Sequence, residues 1–151
     1  MGKISIEQIR ELREATGLSV VECKKALEET GGNIEKAKEH LSKLGKQIAE
    51  KKQAREVGEG FVEAYAHSTG KLGAIVDVRC ETDFVARSQD FKNFCHEIAL
   101  QVASMDPAGV EELLKQPYVR DPSHRVQDIV SDVIAKVGEN IVIKRFSRFE
   151  I

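Results

Sequence analysis

The chain opens with three short segments in which apolar residues recur at helical spacing. Each segment starts with a residue whose side chain can accept a hydrogen bond from the free N–H groups of a helical first turn, namely Ser5, Ser19 and Asn33. Gln8 and Glu22 follow the two serines at the spacing of the capping box, in which each side chain binds the backbone N–H of the other residue. The pattern therefore predicts three short helices.

Residues 1–45 are predicted to form a compact three-helix module with one shared core. The apolar residues expected in that core are Ile6, Ile9, Leu12, Val20, Ala26, Leu27, Ile34, Ala37, Leu41 and Leu44. A module this small is expected to be only marginally stable, because it buries little surface. Residues 46–58 are rich in charge and predict a helical linker that Gly58 ends.

Beyond residue 58 the apolar period changes to that of β-strands. One strand is predicted over Phe61–His67 and a second over Leu72–Cys80, with a turn between them. A closing strand is predicted over Ile141–Phe149. The second strand carries alternating residues on one apolar face, namely Leu72, Ala74, Val76, Val78 and Cys80.

Helical spacing returns between the second strand and the last. One helix is predicted through Phe91–Val102, a short one over Val110–Lys115, and a third that starts at Asp121-Pro122-Ser123. Helices packed on one face of a small, about three-stranded antiparallel sheet give an α+β core over residues 59–151.

The composition describes a foldable chain and disfavours nucleic acid as a direct partner. Of the 151 residues, 41% are hydrophobic and 32% are charged, and the net charge is −2. Binding to nucleic-acid phosphates draws on a marked Lys and Arg excess. The stretch Lys43–Arg55 is locally basic, but it lacks the interleaved aromatic residues that stack on RNA bases. A solvated helix is the favoured interpretation of this stretch.

The cysteines and the apolar runs indicate a cytoplasmic protein. Cys23, Cys80 and Cys95 contain no CxxC pair and cannot all pair with one another, which is typical of a reducing compartment. No run resembles a signal sequence or approaches the roughly 20 apolar residues of a membrane span. No membrane association is expected.

No pattern of side chains indicates catalysis, a metal site or a cofactor site. The four histidines lie in different predicted elements without metal-binding spacing, and no glycine motif for phosphate is present. Cys95 precedes His96, but neighbours on a helix point about 100° apart, and Cys95 belongs to the apolar stripe. A buried structural thiol is favoured over a nucleophile. The sequence therefore predicts a protein that binds a partner protein.

The segment between the second strand and the long helix, residues 81–87, contains an unexpected aromatic residue. Phe84 stands in a connection, where regular packing buries large side chains less readily. It can act as a hydrophobic staple under the sheet, which the residues alone favour slightly. It can also be an exposed anchor for a partner's pocket, with Asp83 holding the loop through backbone N–H groups.

Three motifs resemble those of bacterial elongation factor Ts. The first is residues 12–19, LREATGLS, followed by CKKAL at residues 23–27. The second is CETDFVAR at residues 80–87. The third is VGENI at residues 137–141, followed by Arg145-Phe146. Their order and spacing also agree with the family and frame nearly the whole chain.

The resemblance implies a guanine-nucleotide exchange factor that binds elongation factor Tu and promotes release of GDP. The family's fold is a three-helix module, similar to ubiquitin-associated (UBA) domains, joined to a helix-and-sheet core. The module docks on the partner's nucleotide-binding domain. By position, that contact would include Arg13, Val20, Val21 and Lys24.

In the family, a second contact displaces Mg²⁺ and distorts the partner's nucleotide site. The matching residues here are Thr82, Asp83, Phe84 and Val85. A third contact matches Val137 and Gly138. The resemblance also implies that GDP and Mg²⁺ are bound by the partner, so no cofactor is expected on this chain.

The chain departs from the family pattern in three places. Val20-Val21-Glu22 stands where many relatives have Met-Met-Asp, and the stretch Met105–Tyr118 is short. Some short relatives form homodimers through their sheets with a cysteine at the position of Ser147, so a dimer here would lack that cross-link. The alternative function is a UBA-like adaptor without exchange activity, although its usual Met-Gly-Phe or Met-Gly-Tyr turn is replaced by Thr16-Gly17-Leu18.

Overall fold

The computed structural model describes residues 2–151, and these residues form seven helices and five strands. In chain order they are α1 (Ile6–Thr16), α2 (Val20–Glu29), α3 (Ile34–Lys52), β1 (Glu59–Ala66), β2 (Leu72–Cys80), α4 (Asp83–Ala86), α5 (Gln89–Met105), α6 (Val110–Lys115), β3 (Pro117–Tyr118), β4 (Asp121–Arg125), α7 (Val126–Val137) and β5 (Val142–Glu150). The predicted α+β class is confirmed.

The three N-terminal helices begin at the predicted capping residues. The side chains of Ser5 and Ser19 accept hydrogen bonds from the backbone N–H groups of Gln8 and Glu22, and both capping boxes are closed. At the start of α3 the Asn33 side chain accepts a hydrogen bond from the Lys36 backbone N–H. The helices therefore start where the sequence predicts, because local hydrogen bonds fix those positions.

The module has the predicted shared core, with two corrections. Its fully or nearly fully buried members are Leu12, Leu18, Cys23, Ala26, Leu27, Ala37 and Leu41. Ile6 and Val20 were expected in this core, and that prediction is wrong, because both side chains are exposed. Each is the first residue of its helix, where the side chain lies beyond the helix contacts that form the core.

Helix α3 continues past the module and packs on α7 of the core. Residues 46–52, predicted as part of a linker, form its last turns. Ala135 of α7 contacts the module's core, and Ala49 of α3 contacts the core of the second part. The Nζ atom of Lys46 lies 3.1 Å from a carboxylate oxygen of Asp128. Apolar and ionic contacts thus join the module to the rest of the chain.

The three long strands form one antiparallel sheet in the order β1-β2-β5. One face of β2 is buried under helices, including Ala74, Val76, Val78 and Cys80, as the alternation predicts. The main core lies between this face and α5 and α7. The opposite face is open and carries Val62, Ile75 and Phe149, all exposed.

The start of α7 differs from the prediction. A helix was expected to begin at Asp121-Pro122-Ser123, but these residues belong to β4, which pairs with β3 in a small hairpin. The helix begins at Val126, whose side chain is fully buried. The Asp128 carboxylate accepts a 3.0 Å hydrogen bond from the Arg125 backbone N–H there. Burial of Val126 and this cap set the start of the helix.

Candidate partner-binding site

The connection between β2 and α5 is a one-turn helix with a cap at each end. Thr82 is the N-cap of α4, and its hydroxyl accepts a 3.3 Å hydrogen bond from the Val85 N–H. The hydroxyl of Ser88 donates to the Val85 carbonyl at 2.7 Å and accepts from the Phe91 N–H at 3.3 Å, which starts α5. The segment predicted as a loop is therefore ordered by side-chain hydrogen bonds.

Phe84 is the large apolar side chain that this helix turns outward. It is 82% exposed, whereas Val85 is 7% exposed and Ala86 3%. Successive helical residues point about 100° apart, so burial of Val85 and Ala86 against the core directs Phe84 into solvent. The interpretation of Phe84 as a staple is wrong. An exposed aromatic ring on an ordered base is typical of a binding anchor.

The base of α4 is held from the far end of the chain by Glu139. One carboxylate oxygen accepts hydrogen bonds from the Glu81 N–H at 3.1 Å and the Thr82 N–H at 2.9 Å. The other accepts from the Thr82 hydroxyl at 2.6 Å. Asp83 was expected to hold this segment, and that expectation is wrong: its carboxylate pairs with Arg87 at 2.9 Å on the exposed side.

Sequence reasoning missed the role of Glu139, although this residue lies inside the third motif. Its partner Thr82 is 57 residues away, and helical or strand periodicity carries no information about a contact of that separation. The only available signal was that the second and third motifs occur in the same chain.

Val137 and Gly138 lie at the end of α7, directly before Glu139. Val137 is half-buried against the main core, and Gly138 is exposed with a positive φ of 78°. The Gly138 carbonyl accepts a 2.6 Å hydrogen bond from the Lys52 Nζ group. This end of α7 therefore meets both the end of α3 and, through Glu139, the base of α4.

The residues predicted on the N-terminal module flank the turn between α1 and α2. Arg13, Val20, Val21 and Lys24 are all exposed, and the Lys24 ammonium lies 3.9 Å from the Glu28 carboxylate. Two neighbouring exposed valines at the start of α2 form an apolar spot, and Lys24 follows them about one helical turn later. Such a spot is suited to a partner surface with apolar and acidic groups.

A lysine bridges this turn to the start of α5. Gly17, in the left-handed conformation with φ 70°, lies under the Lys136 side chain, so closely that a Cβ at position 17 would be 2.7 Å from its Cδ atom. The Lys136 Nζ atom lies 3.3 Å from a carboxylate oxygen of Asp90, in the first turn of α5. The module's turn and the α4–α5 region are therefore joined through one side chain.

The buried thiols next to this site are poorly suited to nucleophilic chemistry. Burial raises the pKa of the Cys80 thiol to about 11 and that of Cys95 to about 12. Both are therefore protonated at neutral pH, and the thiolate is the nucleophilic form. The Cys80 thiol instead donates to the Thr82 carbonyl at 3.3 Å.

Residues 2–151 contain neither a metal-binding cluster nor a helix that could span a membrane. No group of three or more His, Cys, Asp or Glu side chains is placed to hold a metal ion in that range. Among the helices of the same residues, none combines the length and apolarity needed to cross a membrane.

Comparison with known proteins identifies the family. Residues 81–151 match the sequence model of the family described as Elongation factor TS. The chain is 41% identical to elongation factor Ts of Coprothermobacter proteolyticus, over 99% of this chain and 98% of the relative. It is 37% identical to that of Herpetosiphon aurantiacus, with 98% of each covered, and 38% identical to that of Thermoanaerobacter sp., with 97% of this chain and 94% of the relative covered.

The alignment with the Coprothermobacter protein extends over 194 positions, although this chain has 151 residues. At least 43 positions of the relative, the difference between 194 and 151, therefore have no counterpart here. This agrees with the expectation of a short form. With this similarity over nearly its full length, the chain belongs to the elongation factor Ts family of translation elongation factors.

Proposed function

We propose that this protein promotes release of GDP from elongation factor Tu and that Phe84 is its principal wedge. The observation that carries the proposal is the 82% exposure of Phe84 on a helix whose base is fixed by hydrogen bonds. Exposing a ring of this size to water is unfavourable for the free protein, and insertion into a partner would recover that free energy.

The physical requirement for exchange is reciprocal coupling. A factor that weakens the binding of GDP to its partner must bind the GDP form more weakly than the empty form, by the same ratio. Its useful contacts are those that pack well only when the Mg²⁺ and phosphate site is distorted. A rigid apolar wedge meets this requirement, because packed interiors switch between discrete arrangements instead of deforming smoothly.

The proposed roles divide between two surfaces. Arg13, Val20, Val21 and Lys24 dock the module on the nucleotide-binding domain of elongation factor Tu. Phe84 and Asp83 enter the partner beside its Mg²⁺ ion and displace it. Thr82, which is exposed, lies beside them in the same contact. Val85 was predicted in this contact too, but its side chain is buried in the free protein and supports the wedge from below. Val137 and Gly138 form a smaller third contact.

In this proposal the chain catalyses no chemical reaction and needs no cofactor of its own. GDP and Mg²⁺ are bound by elongation factor Tu, and the exchange takes place in the cytoplasm without direct contacts to nucleic acid or membrane. Residues 1–45 are the docking module, residues 46–58 connect it, and residues 59–151 form the core that carries the wedge.

The test is the rate at which fluorescent GDP leaves elongation factor Tu on mixing with excess unlabelled GDP, with and without this protein. We expect acceleration in Mg²⁺ buffer and a smaller acceleration after Mg²⁺ has been removed by a chelator, because the wedge then has no ion to displace. Binding of elongation factor Tu without faster release would instead indicate the adaptor function. Equal acceleration in both buffers would contradict displacement of Mg²⁺.

We also propose a homodimer through the open face of the sheet. Its centre is apolar, with Val62, Ile75 and Phe149 exposed. The one carboxylate there, Asp77, is neutralised within the chain by Arg79 at 2.6 Å and by a second arginine. Sedimentation velocity over a range of concentrations tests the proposal, with Ile75→Glu expected to give monomers. A wild-type protein that stays monomeric at high micromolar concentration would refute it.

A further inference from the structure

Glu139 lies in the turn between α7 and β5 and makes all of its hydrogen bonds to the segment that precedes the wedge. Its carboxylate accepts from the N–H groups of Glu81 and Thr82 and from the Thr82 hydroxyl, at 3.1, 2.9 and 2.6 Å. Hydrogen bonds to an ionised carboxylate are roughly twice as strong as neutral ones. Three of them meet at the two residues directly before α4.

The bonding is reciprocal, which fixes the two segments against each other. The Glu81 carboxylate accepts a 2.8 Å hydrogen bond from the Asn140 N–H, as Glu139 accepts from the Glu81 N–H. The Asn140 amide donates in turn to the Arg55 carbonyl at 2.9 Å, and the Arg55 guanidinium lies 3.6 Å from Glu81. Hydrogen bonds and an ion pair thus connect the residues directly before α4 to the α7–β5 turn and to the chain that follows α3.

The Thr82 hydroxyl connects Glu139 to α4, the helix that carries Phe84. It has one hydrogen, which it donates to Glu139, so its lone pairs are free to accept from the Val85 N–H. Helix α4 has only four residues and is far too short to be stable alone. Its conformation therefore depends on Val85 and Ala86 packing below it and on the cap that Glu139 orients.

We infer that Glu139 is a positioning residue for Phe84: it holds the wedge in its binding conformation before the partner arrives. The inference rests on the proposed function of Phe84. Ordering a loop during binding costs free energy, and this cost is reduced when the loop is already ordered in the free protein. Loss of the Glu139 carboxylate should leave the wedge present but mobile, and exchange should slow while the docking surface of the module stays intact.

The first test reads the order of the wedge without any partner. The chain contains two tyrosines but no tryptophan, so Phe84→Trp introduces a single tryptophan at the wedge, which is excited selectively at wavelengths that tyrosine does not absorb. We expect Glu139→Ala in this background to add a fast local component to the fluorescence anisotropy decay, and Glu139→Gln, which keeps an oxygen for both backbone N–H groups, to add much less. Glu56→Ala, at an exposed carboxylate beyond the end of α3, is the matched control. An unchanged decay in Glu139→Ala would overturn the inference.

The second test is a double-mutant cycle on GDP release from elongation factor Tu. We expect Glu139→Ala to lower the maximal release rate about 10-fold, as ordering costs of this kind imply. The concentration for half-maximal effect should change much less, because the module still docks. In a Phe84→Ala background the same substitution should have almost no further effect, since a positioning residue acts through the residue that it positions.

The outcomes separate this inference from the proposed function. If Phe84→Ala slows release and folded Glu139→Ala does not, only the positioning role fails. If Phe84→Ala releases GDP at the wild-type rate, the wedge itself fails, and a slow Glu139→Ala would then show a role independent of Phe84. Equal losses from Glu139→Ala in both backgrounds would also contradict positioning. Should Glu139→Ala not fold, Glu139→Asp, whose side chain is one methylene shorter, takes its place in both tests and is compared with Glu139→Gln in the same way.

Discussion

Truncation of two adjacent side chains, Phe84 and Val85, should lower the stability of the protein by clearly different amounts. Phe→Ala at a buried site costs about 3 to 5 kcal/mol of folding free energy. Phe84 is 82% exposed, so only the remaining small fraction of its surface is lost from contact. The expected cost for Phe84→Ala is therefore about 1 kcal/mol or less. Val85 is 7% exposed, and removal of its two methyl groups should cost roughly 1 to 3 kcal/mol.

Thermal denaturation followed by circular dichroism measures both variants under one set of conditions. For a domain of this size, about 1 kcal/mol corresponds to roughly 2 to 4 °C in melting temperature. Phe84→Ala should thus melt within a few degrees of the wild type and Val85→Ala clearly below it. Chemical denaturation with an unchanged slope would show that the folded state, and not the unfolded ensemble, has been altered. A larger loss for Phe84→Ala than for Val85→Ala would refute the orientation of α4.

Three further predictions concern the rest of the chain. Gly17→Ala should lower the free energy of unfolding by about 1 to 2 kcal/mol, because a left-handed backbone strains alanine and the new Cβ would meet the Lys136 side chain. Urea denaturation measures this loss, and an unchanged midpoint would contradict the packing of Lys136 on Gly17. The arginines beside Asp77 lower the pKa of its carboxyl, and the hydrogen bond from Arg79 contributes most, so the ion pairs stabilise the protein at neutral pH and lose this effect as pH falls below about 4. Asp77→Asn should be about 1 kcal/mol less stable than the wild type at pH 7, and its free energy of unfolding should decline less towards pH 2. Parallel curves of stability against pH for the two proteins would count against the ion pairs. A fragment of residues 1–55 should be helical by circular dichroism and unfold cooperatively on heating, but it should not accelerate GDP release. Full exchange activity of this fragment would show that the core is not needed for exchange.

Much of the fold could be predicted because local signals specify it. The capping boxes at Ser5 and Ser19 fix two helix starts through hydrogen bonds between residues three apart. The alternation from Leu72 to Cys80 identifies the covered face of β2 because strand side chains have a period of two. In the β3–β4 hairpin the local signal misled: Asp121 accepts from the Ser123 N–H as a helix cap would, yet pairing with β3 and burial of Val126 decide the structure.

The candidate site was only partly predictable for the same physical reason. The second motif gave the position of Phe84, but a four-residue helix has too few residues for a period to reveal its buried face. Its orientation depends on Val85 and Ala86 meeting the core, which is a tertiary contact. The support by Glu139 depends on a contact across 57 residues, and a single sequence contains no pairing information at that distance.

The most direct test of the central claim compares GDP release from elongation factor Tu driven by the wild type, Phe84→Ala and Phe149→Ala. Phe149 is the aromatic control, since its ring is 76% exposed on the open sheet face, away from α4. Because this face is also the proposed dimer surface, all three proteins are compared at a concentration at which sedimentation shows the same oligomeric state. Loss of a central aromatic anchor costs roughly 2 kcal/mol, or about 30-fold. We predict a loss of that size for Phe84→Ala and a rate close to the wild type for Phe149→Ala. A folded Phe84→Ala protein that releases GDP as fast as the wild type would contradict the wedge.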